Sequence, residues 1–406
     1  VRRLIDIIVS VIVLILICLP SGIVWAFVSI FAGKDFLTCR IIFGKDFKQV
    51  KVCWFGMQSS FFSSLPLFLS LLKGDITLVG TSFYPCEEYS QSQIPEKIAE
   101  FKPGIFNLWY VKRHTKIHHA EKTDIDLLQL SGRGLKKDFA IMVKYIPASI
   151  YKSDEGSIKD SVTLLDVTFN NCTMNEALRF IQKGVENSAK GMYFFINPDC
   201  LNKTFTDKYY FDILRKADYV FPDGVGINIG SKMTGQTLKQ NVNGTDMFPL
   251  LCSMCEQRGY SIYFLGAKPG IAAKMVSMLK EKYTRLKITG FRDGYFNKDT
   301  ESESVIDAVN ETGAQVLLVA FGVPVQEKWI YENRSRLAPP VVMGVGGLFD
   351  FYSGNIKRAP GWLRDLGGEW IYRLIQEPGR MWRRYILGNP VFIRRVQKWK
   401  KQLDKG

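Results

Sequence analysis

Asp223 stands in the run YVFPDGVG, where a short apolar stretch meets two glycines, Gly224 and Gly226. A carboxylate on a glycine-flanked turn can take a proton from a hydroxyl nucleophile, and the absent side chains let a substrate approach the backbone. The competing reading is an aspartate that caps the following helix, and one side chain can do both. Asn197, in FFINPDC, ends the preceding apolar run in the same manner and is expected to face the same crevice. Asn243, Gly244, Thr245 and Asp246 spell a helix start that can hold hydroxyls or phosphate. Two further turns, Gly266 to Gly270 (GAKPG) and Gly322 to Glu327 (GVPVQE), each follow an apolar run and open a helix. Free N–H groups at such turns attract anions, and Lys268 adds charge. Taken singly, each is as readily a plain turn.

These turns need a frame that gathers them on one side. The apolar runs that precede them read as buried parallel strands, which are continuously hydrophobic because helices cover both faces. TLLDVTF (163–169) is expected to be one strand, and MNEALRFIQKGVEN an amphipathic helix capped by Asn171 or Thr173. Helical periods separate the later strands too, so the region reads as a βαβ series with a mostly parallel sheet. Each turn then lies at the carboxyl end of a strand, where open α/β sheets bind ligands. No G-x-G-x-x-G with a later acidic residue follows a strand, which argues against a nucleotide-dependent dehydrogenase.

With 406 residues the chain can hold two or three domains. Its 54 Lys+Arg against 39 Asp+Glu give +15, which favours an anionic partner. The excess is concentrated near the carboxyl end. There Arg358, Arg364, Arg373, Arg380, Arg383, Arg384, Arg394 and Arg395 alternate with Trp362, Trp370, Trp382 and Trp399. Bases interleaved with indoles suit a lipid headgroup interface better than a nucleic acid, and arginine grips diphosphate bidentately. The 8 cysteines are scattered, mostly in apolar surroundings, which fits a reducing cytoplasmic setting. Cys252 and Cys255 lie on one expected helix with no second pair to complete a zinc site, so they read as packing residues.

From Ile7 to Gly33 there is no charge, and bases flank the stretch on both sides. It is long enough to cross a bilayer. Pro20, Ser21 and Gly22 interrupt it. Both flanks are then cytoplasmic by the positive-inside rule, and a re-entrant helix-break-helix is favoured over a full span. His114, His118 and His119 read as part of a solvated loop, with a metal or lipid-phosphate contact as the alternative.

RLIDIIVSVIVLILICLPSGIVW, LPLFLSLLKGDITLVG and FKPGIFNLW, with the segment around 125–150, resemble the bacterial sugar transferases, the monotopic phosphoglycosyl transferases. The resemblance covers about the first 150 residues. It implies a small α+β domain at the membrane. The family's catalytic Asp-Glu pair falls on Ser63 and Ser64, and its Pro-Arg-Pro on Thr81-Ser82-Phe83. A serine without a neighbouring base is a poor nucleophile, so this domain is expected to be an inactive anchor. Asp124-Ile125-Asp126 has the spelling of a metal-binding D-x-D but aligns with an ordinary helical segment.

INPDCLNK, ADYVFPDGVG, NVNGTD, FLGAKPG, FGVPVQEKW and the run from GVGGLFDFYSG to MWRRY resemble, in order, the WecG/TagA/CpsF glycosyltransferase family over about 162–395. The resemblance implies a Rossmann-like domain with a basic carboxyl-terminal appendage. It also implies metal-independent, inverting transfer from a UDP-sugar to an undecaprenyl-diphosphate-linked sugar in surface polysaccharide assembly. Asp223 matches the proposed base. Gln326 is then placed to read a uracil edge and Glu327 to accept from ribose hydroxyls or cap its helix. Gly290 and Tyr295 line the same pocket in this reading, and Arg358, Arg373 and Arg380 neutralise diphosphate. Two positions depart from the best-known members: a threonine is Phe195 here and an arginine is Asn241, so sugar recognition is expected to differ. The expected boundaries are 1–151 for the anchor domain, 152–160 for a linker, 161–350 for the glycosyltransferase domain and 351–406 for the appendage. The expected location is the cytoplasmic face of the bacterial inner membrane. Cofactors are expected to be none, nucleic acid is not a partner, and a homo-oligomer is left open.

Overall fold

The structure is a computed structural model that describes residues 2–32, 35–56, 61–115, 121–132, 134–151, 159–365 and 368–404. His118, His119 and positions 152–158 of the expected linker lie outside the described residues, as do the side chains of His114 and Trp362. The chain divides into two compact units, Val1–Asp154 and Glu155–Gly406.

The first unit opens with a helix over Arg2–Val13 that continues through a π-helical turn, Leu14–Cys18, into Leu19–Ala32. Residues Arg2–Ile23 are, by length and composition, apolar enough to cross a membrane, with mean hydropathy 2.8 over an 18-residue window. Helical structure passes Pro20 without a break, which corrects the expected helix-break-helix. The wider turn just before it lies where proline removes a helical hydrogen bond. Most of the apolar side chains between Leu4 and Ile23 are exposed. Asp6 is buried and accepts hydrogen bonds from Thr77 Oγ1 (2.9 Å) and the Leu78 N–H (3.0 Å).

Strands β1 (Leu37–Phe43) and β2 (Gln49–Phe55) pair antiparallel, and β3 (Thr77–Val79) pairs parallel with β4 (Gly104–Phe106). Cys39 and Cys53 are cross-strand partners joined by a disulfide, which departs from the thiol reading of the cysteines. Their separation of 14 residues carries no sign of the hairpin register that brings them together. Ser63 and Ser64 sit in a short 3₁₀ turn ahead of the helix Leu67–Lys73. Asp126 is fully buried and accepts from the Ser82 N–H, the Ser82 hydroxyl and the Tyr84 hydroxyl. Its oxygens tie two segments of this unit together.

In the second unit, TLLDVTF is two strands rather than one. β5 (Ser161–Leu164) and β6 (Val167–Asn170) form a hairpin that turns at Leu165 and Asp166, with φ of 53° and 63°. Left-handed backbone at both turn positions matches the twist of a two-residue hairpin, but the usual Asn-Gly signal is absent. Thr173 then caps the helix Met174–Glu186 in a reciprocal capping box with Glu176.

The main sheet contains β7 (Gly191–Ile196), β8 (Tyr219–Pro222), β9 (Ser261–Gly266), β10 (Lys287–Arg292), β11 (Val316–Ala320) and β12 (Val341–Gly344). Their order is β10-β9-β11-β12-β7-β8 and every pairing is parallel. β7, β9, β11 and β12 are buried along their whole length. Alternate residues feed two cores. Phe194, Leu265 and Val319 pack on one face, and Phe195, Phe264 and Leu318 on the other. β10 lies at the edge and is half exposed, so KITGFR lacks the apolar run that marks the inner strands. The chain fills β7 and β8 on one side, crosses to β9, and returns β12 between β11 and β7. That reversal opens a crevice beyond the carboxyl ends of the strands.

The tail does not trail away from this unit. Its last helix, Gly388–Leu403, buries Phe392 and Val396 in the same core as Leu164 and Ile227. Asn202 donates to the Gly388 carbonyl (2.8 Å), and Arg395 donates to the Asn202 carbonyl (2.8 Å).

Candidate functional site

A cavity of about 970 Å³ lies over the carboxyl ends of the sheet. Asn197, Asp223, Gly244, Thr245, Lys268, Tyr295, Gly322, Gln326, Arg373 and Arg380 all line it. They come from the ends of β7, β8, β9 and β11, the loop after β10, the start of a helix and the basic tail.

Asp223 follows β8 directly, and its N–H donates to the Ile196 carbonyl at the end of β7 (2.7 Å). Its side chain is half-buried and faces the cavity. Burial pushes its pKa up to about 6, reinforced by Glu369 and Asp246 and opposed by the positive charges of Arg384 and Arg373. A carboxylate tuned this way is ionised at neutral pH yet basic enough to receive a proton in a transition state.

The neighbouring glycines have other duties. Gly224 adopts φ 90° ahead of the helix Val225–Met233 and donates its N–H to Asn241 Oδ1 (2.6 Å). Asn241 therefore braces the turn that carries Asp223. A Cβ on Gly226 would stand 2.3 Å from Pro198 Cγ, so this glycine lets two helices meet and does not line the cavity. That corrects the expectation that it admits substrate. Gly266, Gly270 and Pro324 likewise shape turns without reaching the cavity wall.

Asn197 lines the cavity while its Oδ1 caps the helix Pro198–Lys203, accepting from the N–H groups of Asp199 and Cys200. Asn243 caps the helix Gly244–Arg258, and its amide also holds Asp246. Asp246 turns away from the cavity to Arg358 (2.8 Å) and Arg364 (3.6 Å). Burial works against its charge, but these arginines and the Asn243 hydrogen bond win and hold its carboxyl below the ordinary range. Arg358 also pairs with Glu369 (3.3 Å). The expected role of Arg358 as a diphosphate ligand is thus replaced by a structural one, because its guanidinium is spent latching the tail to the sheet domain.

Gln326 faces the cavity but is only 2% exposed. It accepts from the Gly346 N–H (2.9 Å) and donates to Glu327 Oε1 (2.8 Å), fixing the loop after β12 that forms one wall. Glu327 is wholly buried and does not line the cavity, which corrects its expected contact with ribose. Its second oxygen has no hydrogen-bond partner among the described residues. Burial lifts its pKa from 4.5 to about 7, against the hydrogen bond from Gln326. Between those values the folded protein binds a proton that the unfolded chain does not, so stability declines as pH rises through this window. Glu327→Gln is expected to flatten that decline, read as denaturation midpoints at pH 4.5 and pH 7.5.

Several cavity residues escaped the sequence reading. Arg384 lines the wall beside Arg380 and stands 3.9 Å from Asp199. Nothing in the tail's pattern separates it from seven other arginines. Lys203 pairs with Asp199 and belongs to the INPDCLNK run. Lys298 lies 4.0 Å from the Phe296 ring and 4.5 Å from the Phe321 ring, a cationic and aromatic corner near Lys268. Phe195, by contrast, was singled out in the sequence; it is 8% exposed, lines the cavity and packs against Phe221. Gly290 lies under Tyr263 and outside the cavity lining. Cys252 and Cys255 are both buried in the core.

Comparison with known proteins agrees with this geometry. Residues 56–152 match the family model described as bacterial sugar transferase. The chain is 31% identical over 225 residues to the N-acetylglucosaminyldiphosphoundecaprenol N-acetyl-beta-D-mannosaminyltransferase of Bacillus subtilis (strain 168), covering 55% of this chain and 86% of that protein. It is 33% identical over 202 residues to the enzyme of the same description from Bacillus spizizenii, covering 50% and 77%. With the Staphylococcus aureus (strain MW2) enzyme of that description it shares 27% over 254 residues, 62% of this chain and 98% of the relative. Residues 162–406, the sheet domain and its basic tail together, match the model of the glycosyl transferase WecG/TagA/CpsF family, and the chain is a glycosyltransferase that belongs to that family.

Proposed function

We propose that this enzyme transfers a sugar from a UDP-sugar to a sugar linked through diphosphate to a polyprenol, inverting the anomeric centre without a metal. The observation that carries this reading is the convergence of one tuned carboxylate, Asp223, and the arginines of the tail on a single cavity. Asp223 takes the proton of the acceptor hydroxyl as that oxygen attacks. Lys268 and the turn at Gly322 hold the nucleotide diphosphate, and Arg373 and Arg384 neutralise the charge that develops on the leaving UDP. The relatives act on an undecaprenyl-diphosphate-linked N-acetylglucosamine by their names, which supports the acceptor class.

The apolar helix at the amino end fits a membrane anchor that concentrates the enzyme beside its lipid-linked acceptor. With Ser63 and Ser64 at the positions of the catalytic pair, the first unit serves as an anchor without chemistry of its own. The domain limits proposed for the chain are those given above, 1–151, 161–350 and 351–406.

Purified full-length chain in detergent, given UDP-sugars and a polyprenyl-diphosphate-linked N-acetylglucosamine, is expected to release UDP and extend the lipid-linked sugar, equally with and without EDTA. Failure with every donor would sink the reading. Release of UMP from UDP-sugar and polyprenyl phosphate would instead assign phosphoglycosyl transfer to the first unit.

A further inference from the structure

Beside the main cavity lies a second, smaller one of about 340 Å³, walled by Asp199, Lys203, Arg380, Met381, Arg383 and Arg384. Asp199, Lys203, Arg380 and Arg384 line both, so the two spaces are continuous. Four cations face this notch; Arg384, at its boundary, serves the main cavity, which leaves Lys203, Arg380 and Arg383 to the notch. Asp199 engages Lys203 and Arg384, and Glu377 engages Arg380 (2.9 Å), so the carboxylates offset only part of the charge. Arg383 has no ion pair among the described residues and is exposed.

The notch is displaced from the turns assigned to the nucleotide. Those turns follow β9 and β11, whereas Asp199 and Lys203 belong to the helix after β7. β7 is two strands from β11 in the sheet order, roughly 10 Å at ordinary strand spacing. Asp223 follows β8, on the notch side of the sheet.

The backbone at the notch is unusual. Arg383–Leu387 form a π-helical turn between the helices Pro378–Trp382 and Gly388–Leu403. Such turns are rare and recur at functional sites. This one points Arg384 inward to Asp199 while Trp382, Ile386 and Leu387 stay exposed by 44%, 48% and 51%. Cations and an uncovered apolar strip therefore share one short segment.

We propose that this notch binds the diphosphate of the lipid-linked acceptor, separately from the diphosphate of the donor, with the polyprenyl chain leaving along Trp382, Ile386 and Leu387. A disubstituted diphosphate carries an oxyanion on each phosphorus, which suits the surplus positive charge of the notch. The acceptor sugar then extends from the notch into the main cavity toward Asp223, and the donor sugar meets it from the nucleotide end. This rests on the proposed transfer reaction but is tested apart from it.

The test is equilibrium binding of geranyl diphosphate, geranyl monophosphate, inorganic pyrophosphate and UDP to the full chain and to Lys203→Gln and Arg383→Gln. Arg383 is exposed, so its variant keeps the fold even where Lys203→Gln does not. Each substitution is expected to weaken geranyl diphosphate about tenfold, the scale of one lost charge-assisted hydrogen bond, and to change UDP less than twofold. Geranyl diphosphate should also bind more tightly than either the monophosphate or pyrophosphate. Equal weakening of UDP and geranyl diphosphate, or no weakening of either by Arg383→Gln, overturns the separate site. Pyrophosphate binding as tightly as geranyl diphosphate overturns the lipid assignment. A wild-type chain that binds geranyl diphosphate but transfers no sugar would refute the reaction and leave the notch standing.

Discussion

Asp223→Asn is expected to lower kcat for sugar transfer by about 10²–10⁴-fold, the range contributed by one positioned base. Asparagine keeps the shape of the side chain and loses only the ability to take a proton. Binding of UDP should therefore change little, because the nucleotide turns lie on other strands. The wild-type enzyme supplies an independent sign of the same group. With a pKa of about 6, Asp223 is ionised above that value and protonated below it. Activity should fall toward tenfold per pH unit on the acid side, with the bend near pH 6. Steady-state release of UDP from pH 5 to 8 checks both expectations. A variant that keeps more than a tenth of wild-type kcat removes Asp223 from proton transfer.

Arg384→Gln is expected to lower kcat by about 10²-fold, the cost of removing one preorganised donor from a developing negative charge. It should also move the acid limb of the pH profile upward. The positive charge of Arg384 is the largest influence opposing the burial-driven rise at Asp223, so its removal lets that pKa rise further. At neutral pH a larger fraction of the base is then protonated. Arg384→Lys should return the limb most of the way to its wild-type position, because a point charge suffices for that. It should recover less of the rate, since an ammonium lacks the fork that grips phosphate. A limb that stays at the wild-type pH in Arg384→Gln would show that the arginine does not tune Asp223.

The parallel sheet was legible in the residues alone. Strands sealed by helices on both faces must be apolar throughout, and β7, β9, β11 and β12 announce themselves in FFI, YFLG, LLVA and VVMG. The placement of Asp223 at a strand end followed from the same pattern, since a glycine-rich turn after such a run has one side of the sheet to occupy. The edge strand β10 was silent because one covered face demands no apolar run. The hairpin at Leu165-Asp166 was silent because its left-handed turn uses residues that rarely adopt it.

What the sequence determined by itself is therefore the set of turns and the sheet that carries them, because burial dictates side-chain type locally. The division of labour among polar residues was decided by tertiary structure. Asp246 and Arg358 look like substrate ligands in the chain and are partners 112 positions apart in the fold. Glu327 looks like a cavity residue and is walled in behind Gln326. Arg384, one arginine among many, reaches the wall from within a π-helical turn. A charged side chain has no preference for substrate over protein, so which partner it takes depends on what three-dimensional packing brings within reach.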